Sequence, residues 1–279
     1  MLSYRHVFHA GNVADVFKHS VLCALLRAAV HKPAPLFYLD THAGAGVSPL
    51  RSADALANAE FRAGIGALRG LPEAGRPEAV ADLLSAVALY DDQRKLARYP
   101  GSPVLAARLL RARDRLRLAE LHPDDHARLV RRLARDRRVS IARGDGYSLL
   151  ASDLPPHERR AIVLIDPNYE RDDEGHRLLA ALERGLERFR NGCYLIWYPC
   201  RGKLDAMRFL NAFEKLRPPK TLQLELDPGT DAVAGTPASG LLVINPAFAG
   251  IAALSETMAY LGRHLAPGGA ARVEWRVSE

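Results

Sequence analysis

Short apolar runs separated by longer amphipathic stretches dominate the chain, and the strongest run is Ala161-Ile162-Val163-Leu164-Ile165. A run without polar alternation predicts a strand buried on both faces, as in a parallel sheet covered by helices. Pro167 removes a backbone donor and fixes φ, so the chain leaves the sheet directly after Asp166. The pattern therefore predicts that Asp166, Pro167, Asn168 and Tyr169 form a loop at the carboxyl end of a strand, where open α/β sheets bind ligands. The alternative is a plain surface turn, in which Asp-Pro-Asn is also common.

Further apolar runs and helical periodicities extend this pattern over the chain. Strands are predicted at Leu36–Asp40, Leu116–Ala119, Val139–Ala142, Cys193–Tyr198, Thr221–Leu226 and Leu241–Ile244. Helices are predicted from the Asn12 cap to Val30, from a Ser102 cap to about Arg113, and from Lys203 to Leu216. Two more are predicted, one that follows the strand ending at Glu120 and runs to about Arg135, and one that follows the polar loop 172–175 and runs to about Arg190. No helix separates the last two strands, so we expect them to be antiparallel neighbours. The remaining order predicts a doubly wound α/β fold.

One segment interrupts this order. From Ser52 to about Arg98 the pattern is helical and rich in Ala and Leu. A doubly wound fold places its second strand soon after its first helix. Residues 52–98 are therefore predicted to be an inserted helical subdomain, with 1–51 and 99–279 forming the main domain.

Composition narrows the class of protein. The chain has 279 residues and 48% hydrophobic content, which suits one sizeable core with a smaller inserted unit. No apolar run approaches the ~18 residues of a membrane span, and the N-terminus carries His, Asp and Lys where a signal peptide would be apolar. Cys23, Cys193 and Cys200 show neither CxxC nor His-rich spacing, so no disulfide or metal site is predicted. We expect a cytoplasmic monomer without a membrane or metal partner.

Positive charge is concentrated in one stretch. Between Arg94 and Arg143 the sequence has fifteen Arg or Lys residues and five Asp or Glu residues, in a chain whose total charge is +7. An excess of positive over negative charge in one stretch favours a polyanionic binding partner, and nucleic acid is the first candidate. The alternative is a generally arginine-rich composition, because Arg is used in preference to Lys throughout.

The predicted strand ends supply complementary groups. Gly44 and Gly46 follow the first strand, Glu120 ends the second, Asp145 follows the third, and Asp166 ends the fourth. Glycines allow close backbone approach to a ligand, and an acid after the second strand accepts ribose hydroxyls. A nicotinamide-dependent dehydrogenase uses the first two features but not the last. An S-adenosylmethionine site uses all of them, with Asp145 accepting from the adenine amino group.

A second segment, Asn245-Pro246-Ala247-Phe248, is similar to the Asp166 motif. If the strand before it runs antiparallel, Asn245 lies at the opposite edge of the sheet from Gly44 and Glu120. Position therefore favours Asp166.

The chain resembles the bacterial methyltransferases that modify N6 of adenine 2030 in 23S ribosomal RNA. The resemblance rests on Tyr-Arg-His-x-Phe-His-Ala-Gly-Asn-x-Ala-Asp-x-x-Lys-His (Tyr4 to His19), Leu-Asp-Thr-His-Ala-Gly-Ala-Gly (Leu39 to Gly46), Tyr-Pro-Gly-Ser-Pro (Tyr99 to Pro103), Glu-Leu-His-Pro (Glu120 to Pro123) and Asp145-Gly146. It implies a class I S-adenosylmethionine-dependent fold with a mainly parallel seven- or eight-stranded sheet, a helical insertion and a 23S RNA partner. The cofactor contacts that it implies are His19, His42, Ser102, Glu120, Asp145, Gly146 and Asp166. It also implies that Asp166 is catalytic and that Tyr4 contacts substrate. One position departs from the family, because Asn168 replaces the second proline of Asp-Pro-Pro-Tyr.

The implied reaction explains why these groups are needed. An adenine amino group is a poor nucleophile because its lone pair is delocalised into the ring. Asp166 and the Pro167 carbonyl can accept its two hydrogens and aim the lone pair at the methyl group. Tyr169 is predicted to stack on the extruded base, which contributes ~1–3 kcal/mol. Two alternatives stay open: an RNA-binding homologue that has lost catalysis, and a nicotinamide-dependent oxidoreductase.

Overall fold

The computed structural model describes residues 6–93, 95–200, 202–229 and 238–278. The helices are α1 Val13–Val30, α2 Ala53–Asn58, α3 Ile65–Arg69, α4 Glu78–Ala88, α5 Ser102–Leu109, α6 Pro123–Leu133, α7 Tyr147–Ser152, α8 Glu174–Arg188, α9 Lys203–Lys215 and α10 Phe248–Leu265. The strands are β1 Phe37–Asp40, β2 Val47–Pro49, β3 Arg98–Pro100, β4 Arg115–Glu120, β5 Val139–Arg143, β6 Ala161–Ile165, β7 Cys193–Pro199, β8 Thr221–Asp227, β9 Ser239–Ile244 and β10 Ala270–Val277. Single turns of 3-10 helix lie at His6–Phe8 and Glu60–Arg62.

Eight of the described strands form one sheet in the order β10-β8-β9-β7-β6-β1-β4-β5. The five strands β7, β6, β1, β4 and β5 are parallel to one another. Strand β9 runs antiparallel to both β7 and β8, and β10 runs antiparallel to β8. The predicted doubly wound, mainly parallel sheet of the class I methyltransferase fold is confirmed. The predicted antiparallel pairing of the last two apolar runs is confirmed as well.

The central strand β6 shows why its sequence lacks polar alternation. Ile162 and Leu164 pack into the core under α1, α5 and α10, whereas Ala161, Val163 and Ile165 pack into the core under α7, α8 and α9. All five residues are buried because helices cover both faces of the sheet. The parallel strands thereby bring their carboxyl ends to one edge, where the loops after β1, β4, β5 and β6 meet.

Helix α1 is buried on nearly all sides. It packs against the sheet, α4, α5 and α10. Asn12 caps it, accepting a hydrogen bond from the backbone N–H of Asp15 at 2.9 Å, as predicted. The two polar residues Lys18 and His19 on this helix are only 5% and 2% exposed. A helix enclosed by neighbours leaves no solvated face.

The inserted segment contains the helices α2, α3 and α4, and a two-stranded ribbon lies beside its two ends. Tyr99 and Pro100 belong to β3, which pairs with β2 to form a short ribbon at the base of the insertion. Ile65 and Leu83 share a core with α1 rather than forming one of their own. The boundaries 52–98 stay a prediction. None of the described helices has the length and apolar character that a membrane span requires.

Helix α5 corrects another expectation. Its N-cap is Gly101, and Ser102 is its first residue, so Ser102 does not cap the helix. The helix ends at Leu109 rather than near Arg113. The residues that follow form a turn whose backbone is held by the side chain of Asp114. The Asp114 carboxylate accepts hydrogen bonds from the backbone N–H groups of Arg111 and Leu36 at 2.8 and 3.0 Å. That turn fixes the start of β4 beside β1.

Candidate active site

A cavity of about 790 Å³ opens at the carboxyl edge of the parallel strands. Nine predicted positions line it: His19, His42, Gly44, Gly46, Ser102, Glu120, Asp145, Gly146 and Asp166. Tyr169 is not among its lining residues, and Tyr4 lies outside the described part of the chain. Asn245, the residue of the competing motif, donates to the carbonyls of Arg190 and Gly192, which precede β7. It therefore lies at the opposite edge, as predicted.

Glycines shape the wall formed by the loops after β1 and β5. Gly44 and Gly46 have φ of 62° and 80°, a conformation that strains other residues. A Cβ on Gly44 would meet no protein atom within 4 Å, so the open cavity reaches its backbone. A Cβ on Gly146 would lie 1.8 Å from the Thr41 carbonyl oxygen, so only glycine allows these two loops to touch.

Glu120 at the end of β4 is oriented by the backbone. One carboxylate oxygen accepts from Gly44 N–H at 2.8 Å, and the other accepts from His122 N–H at 2.7 Å. Burial raises the pKa of Glu120, although these hydrogen bonds oppose that shift. Each oxygen keeps a further lone pair, so the side chain can accept hydroxyl groups from a ligand.

Asp145 lies in a wetter part of the cavity. Its carboxylate accepts from the Tyr147 backbone N–H at 3.0 Å and pairs with Arg177 at 2.8 Å. The side chain is 45% exposed, which leaves room for a ligand donor beside the arginine. Asp145 thus lies on the exposed rim of the cavity, whereas the neighbouring Gly146 is buried.

His19 and His42, two of the histidines that line the cavity, are uncharged because burial lowers the pKa of each. Burial lowers the pKa of His19 to about 3, and its Nδ1 lies 2.8 Å from the Tyr99 hydroxyl. Burial also lowers the pKa of His42. The Thr41 hydroxyl donates to the Leu164 carbonyl at 3.0 Å, so it accepts from His42 Nδ1–H at 2.8 Å. That assignment leaves His42 Nε2 as an acceptor.

An ion-pair chain that sequence reasoning missed runs from α1 to the loop after β6. Lys18 Nζ lies 2.5 Å from Asp166 Oδ2 and 3.0 Å from Asp15 Oδ1. Asp15 Oδ2 in turn lies 3.0 Å from His6 Nε2. Burial alone would lower the pKa of Lys18, but the two carboxylates raise it above the usual range. Lys18 is therefore a fixed cation that holds one oxygen of Asp166. The spacing Asp15-x-x-Lys18 within an otherwise apolar helix was the available signal.

A second missed group is Asp40, at the end of β1. Its carboxylate accepts hydrogen bonds from the hydroxyls of Tyr38 and Ser102 at 2.9 and 2.7 Å and from His42 N–H at 3.2 Å. The side chain is fully buried, and that burial raises the pKa of Asp40 to about 6. Asp40 therefore fixes Ser102 and the backbone of His42 at the cavity wall.

The loop after β6 adopts a tight turn. Tyr169 has φ of 51°, and Asn168 Oδ1 accepts from Glu170 N–H at 3.2 Å, which supports this turn. The Tyr169 hydroxyl donates to the Trp197 carbonyl at 3.1 Å, and the two rings meet edge to face at 5.5 Å. Trp197 lines the cavity, with its ring centroid 6.0 Å from Lys18 Nζ. Stacking by Tyr169 stays a prediction.

Comparison with known proteins places this site in a family. The family model described as "Ribosomal RNA large subunit methyltransferase D, RlmJ" matches residues 33–277. Proteins called ribosomal RNA large subunit methyltransferase J in Haemophilus influenzae and Escherichia coli are 39% and 38% identical over the full length of both chains. A crystal structure of a Legionella pneumophila protein superposes with a TM-score of 0.86 and 32% identity, covering 96% of this chain and 98% of the other. The chain therefore belongs to the RlmJ family of large-subunit ribosomal RNA methyltransferases.

Proposed function

We propose that this protein transfers a methyl group from S-adenosylmethionine to N6 of an adenine in 23S ribosomal RNA, at adenine 2030 by its family resemblance. The observation that carries the proposal is Asp166 at the cavity, with one carboxylate oxygen held by Lys18. Such a substrate also supports a cytoplasmic location. Family membership removes the support for a nicotinamide-dependent oxidoreductase.

The cavity suits the proposed cofactor in size and chemistry. Its volume of about 790 Å³ lies within the usual range for small-molecule sites. Gly44 opens its backbone to the cavity, and Glu120 offers two lone pairs to ribose hydroxyls. His19 and His42 are uncharged, so neither repels a sulfonium cation. The residues proposed to hold the cofactor are the predicted ones: His19, His42, Ser102, Glu120, Asp145, Gly146 and Asp166.

When bound, S-adenosylmethionine supplies an electrophilic methyl group. The residues at the end of β6 then position the nucleophile. Lys18 occupies Asp166 Oδ2, so Asp166 Oδ1 and the Pro167 carbonyl are the acceptors for the two N6 hydrogens. Both acceptors draw the nitrogen lone pair out of conjugation and towards the methyl group. Lys18 cannot act as the base because its pKa is raised. Asp166 takes the proton after the methyl has moved.

The proposal is tested with Asp166→Asn and unmodified 23S ribosomal RNA. The amide can still accept from Lys18 through its oxygen, but its NH₂ then faces the N6 donor, so methyl transfer should be abolished. Asp172→Ala is the matched control, because Asp172 is an exposed acid in the following loop and does not line the cavity. Circular dichroism checks the fold of both variants. Normal turnover by Asp166→Asn would refute the mechanism.

A further inference from the structure

Helix α6 carries an unusual charge pattern on its solvent-exposed side. Leu129 and Leu133 are buried against the core, and the opposite side presents a row of exposed arginines, the last of them just beyond the helix end: Arg128, Arg131, Arg132 and Arg135. The spacings of three and four residues make them neighbours on the helix surface. Like charges at these spacings repel one another only weakly, and a bound anion would relieve that repulsion.

These arginines differ from four other arginines of the basic stretch, each of which pairs with a carboxylate. Arg111, Arg115 and Arg117 pair with Asp114, Glu158 and Asp153, respectively. Arg138 pairs with Asp136. In the α6 row, Arg128 makes a long pair with Asp125 at 3.4 Å. Within the described part of the chain, no carboxylate lies within 4.0 Å of the other three guanidinium groups of the row. The row is therefore a cluster of four neighbouring exposed arginines with a single carboxylate partner among the described residues.

An aromatic cavity adjoins the arginine row. The Arg132 guanidinium lies 5.6 Å from the centroid of the Tyr90 ring. Tyr90 lines a second cavity of about 520 Å³, together with Arg51 and Arg98. The acids of this cavity are already paired, Asp91 with Arg69 and Asp92 with Arg51. An exposed cation beside an aromatic ring is the combination that binds single-stranded nucleic acid.

The row and this Tyr90 cavity adjoin the wall of the active site. A Cβ on Gly46 would lie 3.8 Å from Arg132 Cγ, and Gly46 itself lines the active-site cavity. Ser48 and Pro49 are neighbours on β2, and they line the active-site cavity and the Tyr90 cavity, respectively. A strand that places one base in the active site can therefore reach the arginine row without crossing the molecule.

We propose that the arginine row of α6 and the Tyr90 cavity bind the RNA strand next to the target adenosine. The arginines contact phosphates, and Tyr90 offers a stacking surface to a flanking base. This assignment rests on the proposed function, because it assumes an RNA substrate. It adds a contact surface outside the cavity that holds the reacting groups.

The test is the double variant Arg131→Gln/Arg135→Gln, assayed with an unmodified 23S RNA fragment that contains the target adenosine. Each lost phosphate contact should lower the slope of log affinity against log salt by about 0.7–0.9. We expect the slope to fall by about 1.5, KM for RNA to rise at low salt, and S-adenosylmethionine affinity to stay the same. Arg131→Lys/Arg135→Lys keeps the charge and should retain the wild-type slope.

The control is Arg184→Gln/Arg263→Gln, which removes two exposed arginines from α8 and α10. It should leave the slope and KM unchanged. An unchanged slope in Arg131→Gln/Arg135→Gln, with the wild type methylating the fragment, would overturn the RNA surface alone. A wild type that methylates no RNA would overturn the proposed function instead. Equal losses in the test and control variants would also refute the surface, since they would reflect net charge only.

Discussion

The ion pair between Lys18 and Asp166 makes a stability prediction that can be checked without RNA. Lys18→Met keeps most of the side-chain volume and removes the cation between Asp15 and Asp166. The three side chains are 6%, 4% and 16% exposed, so the two carboxylates are left with little water to replace the ammonium. Removing one partner of a buried ion pair destabilises a protein by roughly 3–5 kcal/mol.

The expected magnitude lies near the lower end of that range, about 3 kcal/mol, because His6 remains beside Asp15 and Asp166 is the most accessible of the three. The Lys18→Met/Asp166→Asn variant removes one of the stranded charges. It should therefore be less destabilised than the sum of the single variants, by 1 kcal/mol or more, as expected for residues in direct contact.

The assay is urea unfolding followed by circular dichroism, with the free energy of unfolding extrapolated to water. Arg27→Met is the matched control, since Arg27 also lies on α1 and pairs with two carboxylates, Glu78 and Asp82. Its side chain is 34% exposed, so its loss should cost only about 0.5–1 kcal/mol. Two results would refute the buried ion-pair chain. One is an equal loss of unfolding free energy in Lys18→Met and Arg27→Met, and the other is additive losses in Lys18→Met/Asp166→Asn.

Three further predictions concern single residues at the site. Glu120→Gln offers one acceptor oxygen where two backbone N–H groups now donate to a carboxylate. The affinity for S-adenosylmethionine, measured by calorimetry, should therefore fall roughly tenfold to hundredfold. An unchanged affinity would show that Glu120 is not part of the cofactor site. Asn168→Pro should change turnover less than about tenfold, because the Asn168 backbone N–H donates to no described residue and the substitution removes only the side-chain hydrogen bonds to Glu170. Activity only in the proline variant would mean that the natural chain is a degenerate RNA binder. The folded-state pKa of Asp40 is raised from 3.8 to about 6, so Asp40 binds a proton more tightly in the folded state than in the unfolded state. As the pH rises from ~4 to ~6, the stability of the wild type should therefore fall relative to that of Asp40→Asn, by up to about 3 kcal/mol. Parallel pH profiles of the two unfolding free energies would contradict this.

The fold was largely predictable because its strands are continuous apolar runs. A strand such as β6, buried between two helical layers, has no polar residue to obscure its period. The short ribbon of β2 and β3 was missed because three-residue strands carry no periodicity, and Pro100 and Gly101 look like a turn. Strand β10 was also not predicted. Its residues are partly buried or exposed without a period of two, so this edge strand carries no apolar run.

The site was predictable where strands end and not where helices pack. Glu120, Asp145 and Asp166 follow apolar runs, so topology alone brings them to one edge. The pairing of Lys18 with Asp166 spans 148 residues and depends on how α1 is enclosed, which no local pattern encodes. Asp40 was missed because its role depends on burial beneath Ser102, which lies 62 positions away in the sequence.

The most direct test of the central claim is to locate the transferred methyl group. The protein is incubated with methyl-labelled S-adenosylmethionine and 23S ribosomal RNA from a strain that lacks the modification, and the labelled fragment is mapped by mass spectrometry. We expect one labelled nucleoside, N6-methyladenosine at adenine 2030, and no label with Asp166→Asn. Absence of label with the wild type, or label on another base or another atom, would contradict it.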